Sequence, residues 1–484
     1  MNVQEPTSDA SPIVSSSPPA IFSRESIELL ILLWFATSPL ASFYLRFPQD
    51  RSVITFDRAV FGLIALMLLI LWWRASIKHD NARTPPFLTA TRFEIAWVLL
   101  SILALLSAVL VSNDFEYATK IAVDSFCLPL LAFHVARHHL NVTNRARVLT
   151  AASMGLAFFL ALTGAYEFFT SSNLFFYKGS DLLREGEVRV NGPFASDSSY
   201  AIICLLITLF LAAIPSLLRV RFDTTGRLVY AGALAAGIGA SLLPLFRSVA
   251  LAIVICLAMI EIGLLKLRSA KRLQGGESKR RLSGIPGFLR FDTFTRRRVI
   301  LFAAVVLALV VAESLLGGVS IDRRLANPRT AFGRLSTWAA AAEVTLDNPI
   351  FGVGLTNYTT YFDQKYSWAG DSDQSFFDVR AADSPHSNPL WMMSEMGAIG
   401  FVLYIIANGY IFLMGYRALK RADSDELRLA AISYLAVTLA YWIPGLTLAS
   451  GYYSDLNLYF FFMLGVLSNG SLGLIAKQEP ASIR

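Results

Sequence analysis

The strongest constraint on how this chain folds is its series of long apolar runs, each bounded by charged or turn residues. A run of about 18 or more such residues is long enough to cross a bilayer as a helix. In hydrocarbon the helix is also the form in which one segment satisfies all of its own backbone groups. About twelve runs qualify, at 27–45, 54–73, 94–112, 117–135, 148–169, 194–218, 228–246, 248–265, 299–318, 387–416, 429–449 and 456–475. The predicted fold class is therefore all-α, a polytopic membrane protein with about 12 transmembrane helices. Composition agrees: 16% of residues are charged and mean hydropathy is +0.53, whereas a soluble domain carries roughly 25% charge.

Lys and Arg set the expected orientation. With the first residue inside, 28 of the 42 Lys and Arg residues fall in inside loops and tails. The reversed orientation fails at five consecutive loops. The net charge of +7 is thus a topology signal, and nucleic acid is not an expected partner. Residues 1–23 are rich in Ser and Pro and lack an apolar core, which predicts a disordered inside tail over 1–26 and no cleaved signal peptide. Helices 1–9 occupy 27–318 and include a basic inside loop, 266–298, read as an anchor near anionic lipid. The segment 319–386 is the long outside connection between helices 9 and 10, helices 10–12 occupy 387–475, and 476–484 is an inside tail. Cys127, Cys204 and Cys256 fall in apolar runs and are expected as buried thiols, with neither a disulfide nor a metal cluster.

The long outside segment carries the candidate chemistry. Arg334 to Leu346 reads as a helix with Leu335, Trp338, Ala342 and Leu346 at helical spacing, stopped by Asp347-Asn348-Pro349. Gly352-Val353-Gly354 is read as a tight turn, because a single G-x-G lacks the rest of a phosphate-loop pattern. Ser384-Pro385-His386-Ser387-Asn388-Pro389 then leads into an apolar helix, placing His386 at the outer mouth of the tenth span. A helix N-terminus favours a neutral imidazole, which can accept a proton; the bland reading is an interfacial residue that caps the helix.

Arginines gather on the same side. Arg184 and Arg189 lie before the sixth span, Arg247 at the turn from the seventh span to the eighth, and Arg323, Arg324, Arg329, Arg334 and Arg380 in the long segment. Guanidinium presents a planar fork of donors matched to phosphate. Several arginines with one histidine point to a diphosphate ligand and base catalysis; for Arg247 the plain alternative is snorkelling to lipid phosphate. No inside loop has a DxD-like acidic motif, and there is no Walker A sequence and no zinc spacing. Among the spans, Asp124 and Glu261 are read as the few acidic candidates for proton coupling.

These residues resemble the O-antigen ligase and polymerase superfamily, the Wzy-C type of polytopic glycosyltransferase. His386-Ser387, nine residues and Gly397-Ala398-Ile399-Gly400 look like the family's H-[N/S/Q]-x9-G-x-x-G motif. Arg334 to Trp338, with Pro349 to Gly354, resembles its R-x-x-x-W…P-x-x-G-x-G block. Phe246-Arg247-Ser248 resembles its S-R-[G/S] element, with Phe where Ser is common, and Arg189 to Phe194 its R-x-x-G-x-F element. Ser387 stands where Asn is usual, and neither departure removes a charged group. The resemblance runs in order from about residue 180 to 475.

The resemblance implies a bacterial inner-membrane enzyme with its active site on the periplasmic face, so that 319–386 is a periplasmic segment. It implies transfer of a glycan from undecaprenyl diphosphate to a hydroxyl of lipid A core (ligase), of a growing glycan (polymerase) or of a protein (O-oligosaccharyltransferase), with no cofactor and no metal. On this reading His386 is the catalytic base, while Arg189, Arg247 and Arg334 bind the donor diphosphate. A transporter of lipid-linked sugars is the alternative from another class, although the chain shows no internal repeat of the kind transporters use.

Overall fold

The computed structural model describes residues 23–45, 55–77, 91–172, 174–175, 183–184, 187–188, 190–194, 196–244, 246–274, 329–366 and 384–469. The expected ninth span, most of the basic loop, residues 1–22 of the first tail, the second tail, Arg189, Arg323, Arg324 and Arg380 lie outside them, while residues 24–26, expected in the first tail, are helical. Within them the chain is helical apart from a two-stranded antiparallel ladder, β1 (Leu183–Arg184) with β2 (Glu187–Val188).

The helices are α1 (Arg24–Leu45), α2 (Phe56–Ile77), α3 (Arg92–Leu110), α4 (Phe115–Ala122), α5 (Leu128–His138), α6 (Ala146–Thr170), α7 (Asp197–Leu217), α8 (Thr224–Leu242) and α9 (Arg247–Gln274). They continue with α10 (Arg329–Asp347), α11 (Tyr358–Tyr366), α12 (Asn388–Arg421), α13 (Asp425–Gly445) and α14 (Ser454–Leu467). A π-helical turn, Val123–Cys127, joins α4 to α5, so the two form one continuous span. That turn disturbs the backbone ladder, and the Trp97 indole donates to the Phe126 carbonyl at 2.9 Å.

Among the described residues eight helical stretches are long and apolar enough to cross a membrane: α2, α3, α4–α5, α6, α7, α9, α12 and α13. They coincide with eight of the predicted spans. α1, α8 and α14 coincide with three more, and α14 is a shorter apolar helix of 14 residues. Side-chain caps mark several starts, as at Thr91, Ser196, Asp223 and Ser424.

α7 is the central helix. Its apolar window is 94% buried, as expected of a helix hydrophobic on all sides. α14 is buried along its length from Asp455 to Leu467. Around them α9 packs on α13, α14 on α5, α12 on α3, and α6 on α8. The outer surface exposes Leu63, Leu66, Ile95, Leu99, Ile102, Leu251, Val254, Val402 and Ile405. A surface this apolar belongs against lipid, and the chain is a multi-pass membrane protein. Cys204 and Cys256 are buried, and Cys127 is half-buried at the π-helical turn.

The segment before α12 forms a small layer of its own. Ala340, Ala341 and Val344 of α10 close on Val353, Tyr358 and Phe362, with Leu390 of α12 against them. The predicted helix at 334–346 is present, but its buried face is not the predicted stripe. Leu335, Ala342 and Leu346 are exposed, while Thr337, Ala340, Ala341 and Val344 face inward. The partner of α10 is this small layer, which takes Ala and Val and leaves the leucines outside.

Candidate functional site

α12 is broken where the two glycine blocks meet. Gly397 has φ +62° and ψ −164°, outside helical geometry. The chain at 349–354 fills the gap. Val353 N donates to the Ser394 carbonyl and Gly354 N to the Glu395 carbonyl, both at 2.9 Å, and Ala398 N donates to the Pro349 carbonyl at 2.8 Å. The groups freed by the break are thereby satisfied, the condition for broken helices within a membrane. A Cβ on Gly397 would lie 2.3 Å from the Ile350 carbonyl oxygen, and one on Gly352 (φ +70°) 2.4 Å from the Glu395 carbonyl carbon. The Gly-Val-Gly turn expected from the sequence is therefore a clamp on the helix that follows His386.

Glu395 is the hub of this clamp. It is fully buried. Its carboxylate accepts from Thr356 N at 2.9 Å, Tyr358 N at 3.4 Å and Trp391 Nε1 at 2.7 Å, and also from the Tyr452 hydroxyl. Asn388, in the first turn of α12, donates to Ser450 Oγ and accepts from Gly451 N, both at 2.8 Å. The start of α12 is thus held from two sides by backbone far away in sequence.

His386 sits just before this start. Ser387 is the N-cap position, and His386 has φ +47°. That left-handed conformation is uncommon for a residue with a side chain and concentrates at functional sites. The His386 side chain is half-buried. Its carbonyl accepts a long hydrogen bond, 3.4 Å, from the Trp338 indole of α10.

Arg334 lies one helical turn before Trp338, so the two share a face of α10. It is half-buried. Burial, and after it the like charge of Arg247, holds the Arg334 guanidinium below its usual range, though still protonated at physiological pH. Arg247 is the first residue of α9 and is exposed. A helix N-terminus already favours an anion. Two arginines in electrostatic range of one another, one of them at such an end, make an anion-seeking place.

The structure thus brings together Arg247, Arg334 and the backbone of His386, the last through Trp338. Arg189 lies outside the described residues. The turn that follows it is fixed, because Asn191 N and Gly192 N donate to Glu167 Oε2 at 3.0 and 2.7 Å. Gly192 has φ +54°, and a Cβ there would stand 2.6 Å from the Tyr200 ring.

Sequence reasoning passed over Glu167, Glu395 and Glu94, all buried inside spans, and named Asp124 and Glu261 as the acidic candidates instead. That expectation is corrected: the buried acids are more numerous, and a Glu within an apolar run was the available signal. Asp124 is held in a two-pronged pair by Arg58, at 2.8 and 2.6 Å.

Residues 232–405 match the profile of the O-antigen ligase family. A Rickettsia conorii protein named as a proposed polysaccharide ligase is 30% identical over 130 residues, which cover 26% of this chain and 28% of that protein. The chain therefore matches little more than a quarter of that relative's length. The match over 232–405 includes Arg247, Arg334, both glycine blocks and His386, so over that stretch the chain is similar to the O-antigen ligase family that its motifs resembled.

Proposed function

We propose that this chain transfers a glycan from undecaprenyl diphosphate to a hydroxyl acceptor on the periplasmic face of the bacterial inner membrane, with lipid A core as the acceptor, which is O-antigen ligation. The observation that carries this reading is the half-buried Arg334 on the α10 face that carries Trp338, whose indole bonds to the His386 carbonyl, with the charge of Arg247 at the N-terminus of α9 felt at Arg334. Two guanidinium groups in range of one another repel; a diphosphate bound by both relieves that repulsion and is the anion their forks fit.

In the proposed step the imidazole of His386 takes the proton of the acceptor hydroxyl. The acceptor oxygen bonds to the anomeric carbon while the bond to the diphosphate oxygen breaks, inverting that centre. Arg247 and Arg334, with Arg189 as a third candidate, meet the negative charge as the diphosphate leaves. Positioned base catalysis supplies ~10²–10⁴-fold, and preorganised charge stabilisation is commonly the larger contribution. No metal is required in this scheme, because the guanidinium groups neutralise the leaving group.

The buried acids do not favour the transporter reading. The Glu395 carboxylate is occupied by four donors and Glu167 by two backbone amides, so both serve to fix local backbone.

The test is transfer by the purified chain in detergent, from a lipid-linked glycan to lipid A core, with no ion gradient. Product supports the reading; absence of transfer to every hydroxyl acceptor offered, with the donor intact, defeats it. Deletion of the gene then separates the members of the class. Free lipid A core beside undecorated long polymer means ligase, and one-repeat products mean polymerase.

A further inference from the structure

A second cluster of ligating side chains lies far from His386. Thr91 caps α3, and Glu94 closes the capping box, its Oε2 accepting from Thr91 N at 2.7 Å and Thr91 Oγ1 at 2.9 Å. This fixes the carboxylate and aims its other oxygen at α5. There Oε1 stands 2.9 Å from His134 Nδ1 and 3.5 Å from His138 Nε2. The two histidines are one helical turn apart and so share a face. All three atoms lie within 4.8 Å of one another. Glu94 and His134 are buried, and the His138 side chain is 18% exposed.

A Glu94–His134 hydrogen bond accounts for the 2.9 Å contact alone. His138 Nε2 is buried at the third corner, and among the described residues it has no partner in hydrogen-bond geometry. The same holds for Nε2 of His139, whose ring lies 5.8 Å from that of His134. Bonds of ~2.0–2.2 Å from a tetrahedral zinc ion to His and carboxylate ligands place neighbouring donor atoms about 3.3 Å apart. The two measured separations fall on either side of that value.

We propose that Glu94 Oε1, His134 Nδ1 and His138 Nε2 bind a divalent first-row transition metal ion of the zinc type, with water in the fourth position. Imidazole with one carboxylate is a donor set suited to such an ion, and the Thr91 contacts are the outer-shell support such ligands need. The Arg137 charge is felt at the same carboxylate, and Arg24 donates to the carbonyls of His138 and His139 at 3.2 and 3.1 Å. These two fixed charges oppose a dication and hold the affinity below that of an otherwise equal site.

The ion would staple α3 to α5 and take no part in the transfer step. Arg137, next to His138, donates to Met414 Sδ at 3.4 Å, and Met414 is roughly 35–40 Å along α12 from its N-terminal end. Spacing does not reveal the site, because the third donor lies 40 residues before His134.

The test uses the full chain purified without a histidine tag, stripped with chelator and titrated with Co²⁺. The expected result is the visible absorption of tetrahedral Co²⁺, saturating at one equivalent and bleached by Zn²⁺. His138→Gln is expected to abolish it and His386→Gln to retain it. His138→Cys is expected to add a thiolate-to-Co²⁺ band in the near ultraviolet, which keeps the test decisive if the Gln variant does not fold. No tetrahedral Co²⁺ absorption in the native chain, its persistence in His138→Gln, or no thiolate band in folded His138→Cys overturns the proposal.

Discussion

At the scale of the residue, the question is whether His386 moves a proton or merely caps a helix. Its φ of +47° and its place before the N-cap Ser387 turn it out of the helix it precedes. His386→Ala is expected to lower turnover by ~10²-fold or more with expression and donor binding preserved. His386→Gln can keep a hydrogen bond but cannot take a proton at neutral pH, so it is expected to fail as well. A Gln variant that transfers at the native rate would remove the base assignment. Rate measurements on detergent-purified variants decide between these outcomes. Arg247→Lys keeps the charge and loses the fork, so most activity is expected to disappear while the protein still inserts. Arg280→Ala, in the basic loop, is expected to leave transfer intact. The same assay run on both variants checks this, and equal losses would mean that the site and the topology signal have been confused. His386 and the arginines were legible in the sequence because their chemistry is local. Three of the four partners of Glu395 were not, since Thr356, Tyr358 and Tyr452 lie 39, 37 and 57 residues from it and nothing short-range announces them.

At the scale of the element, the break in α12 is the informative object. The apolar run from 387 to 416 correctly signalled a helix, but periodicity cannot show that the helix stops being one at Gly397. That becomes visible only when the 349–354 backbone occupies the gap. Gly397→Ala forces a Cβ against the Ile350 carbonyl and a side chain into positive φ, at a cost of at least ~2 kcal/mol. The expected result is a clear fall in melting temperature in detergent. Gly352→Ala strains the same contact from the other strand. The double variant is therefore expected to lose less than the two single losses combined, and a strictly additive result would show that the two glycines do not share one clamp. α10 teaches a related lesson. Its existence followed from spacing, but its inward face did not, because the stripe of largest apolar residues is not the one a thin Ala and Val layer selects.

At the scale of the whole molecule, the length of the apolar runs foresaw the helices of the bundle. Among the described residues, every helix long and apolar enough to cross coincides with an expected span. Spacing did not reveal that α7 would be central, since a helix apolar on all sides looks the same in sequence whether its neighbours are helices or lipid. The proposed sidedness makes a direct prediction. Reporter fusions after residues 180, 245 and 350 are expected to read periplasmic, and fusions after 85, 223 and 280 cytoplasmic. A cytoplasmic reading at 350 would put His386 on the wrong side and end the mechanistic case.

The break at Gly397 also bears on how the chain tolerates different lipids. A continuous α12 would carry any tilt imposed by a thin or thick bilayer straight to its first turn. Here the stretch from Asn388 to Met396 is bolted to the 350–358 backbone and to Tyr452, and the rod from Ala398 to Arg421 begins on the far side of a non-helical residue. No continuous helical ladder joins the rod to the short upper piece, so a lean of the rod's body to match its surroundings is not carried straight through, even though the rod's first residues are themselves held by the Pro349 and Ile350 carbonyls. Glycan transfer in vesicles whose acyl chains range from about 14 to 22 carbons is accordingly expected to hold a nearly constant rate. A sharp optimum at one chain length would show that the joint transmits tilt to His386 after all.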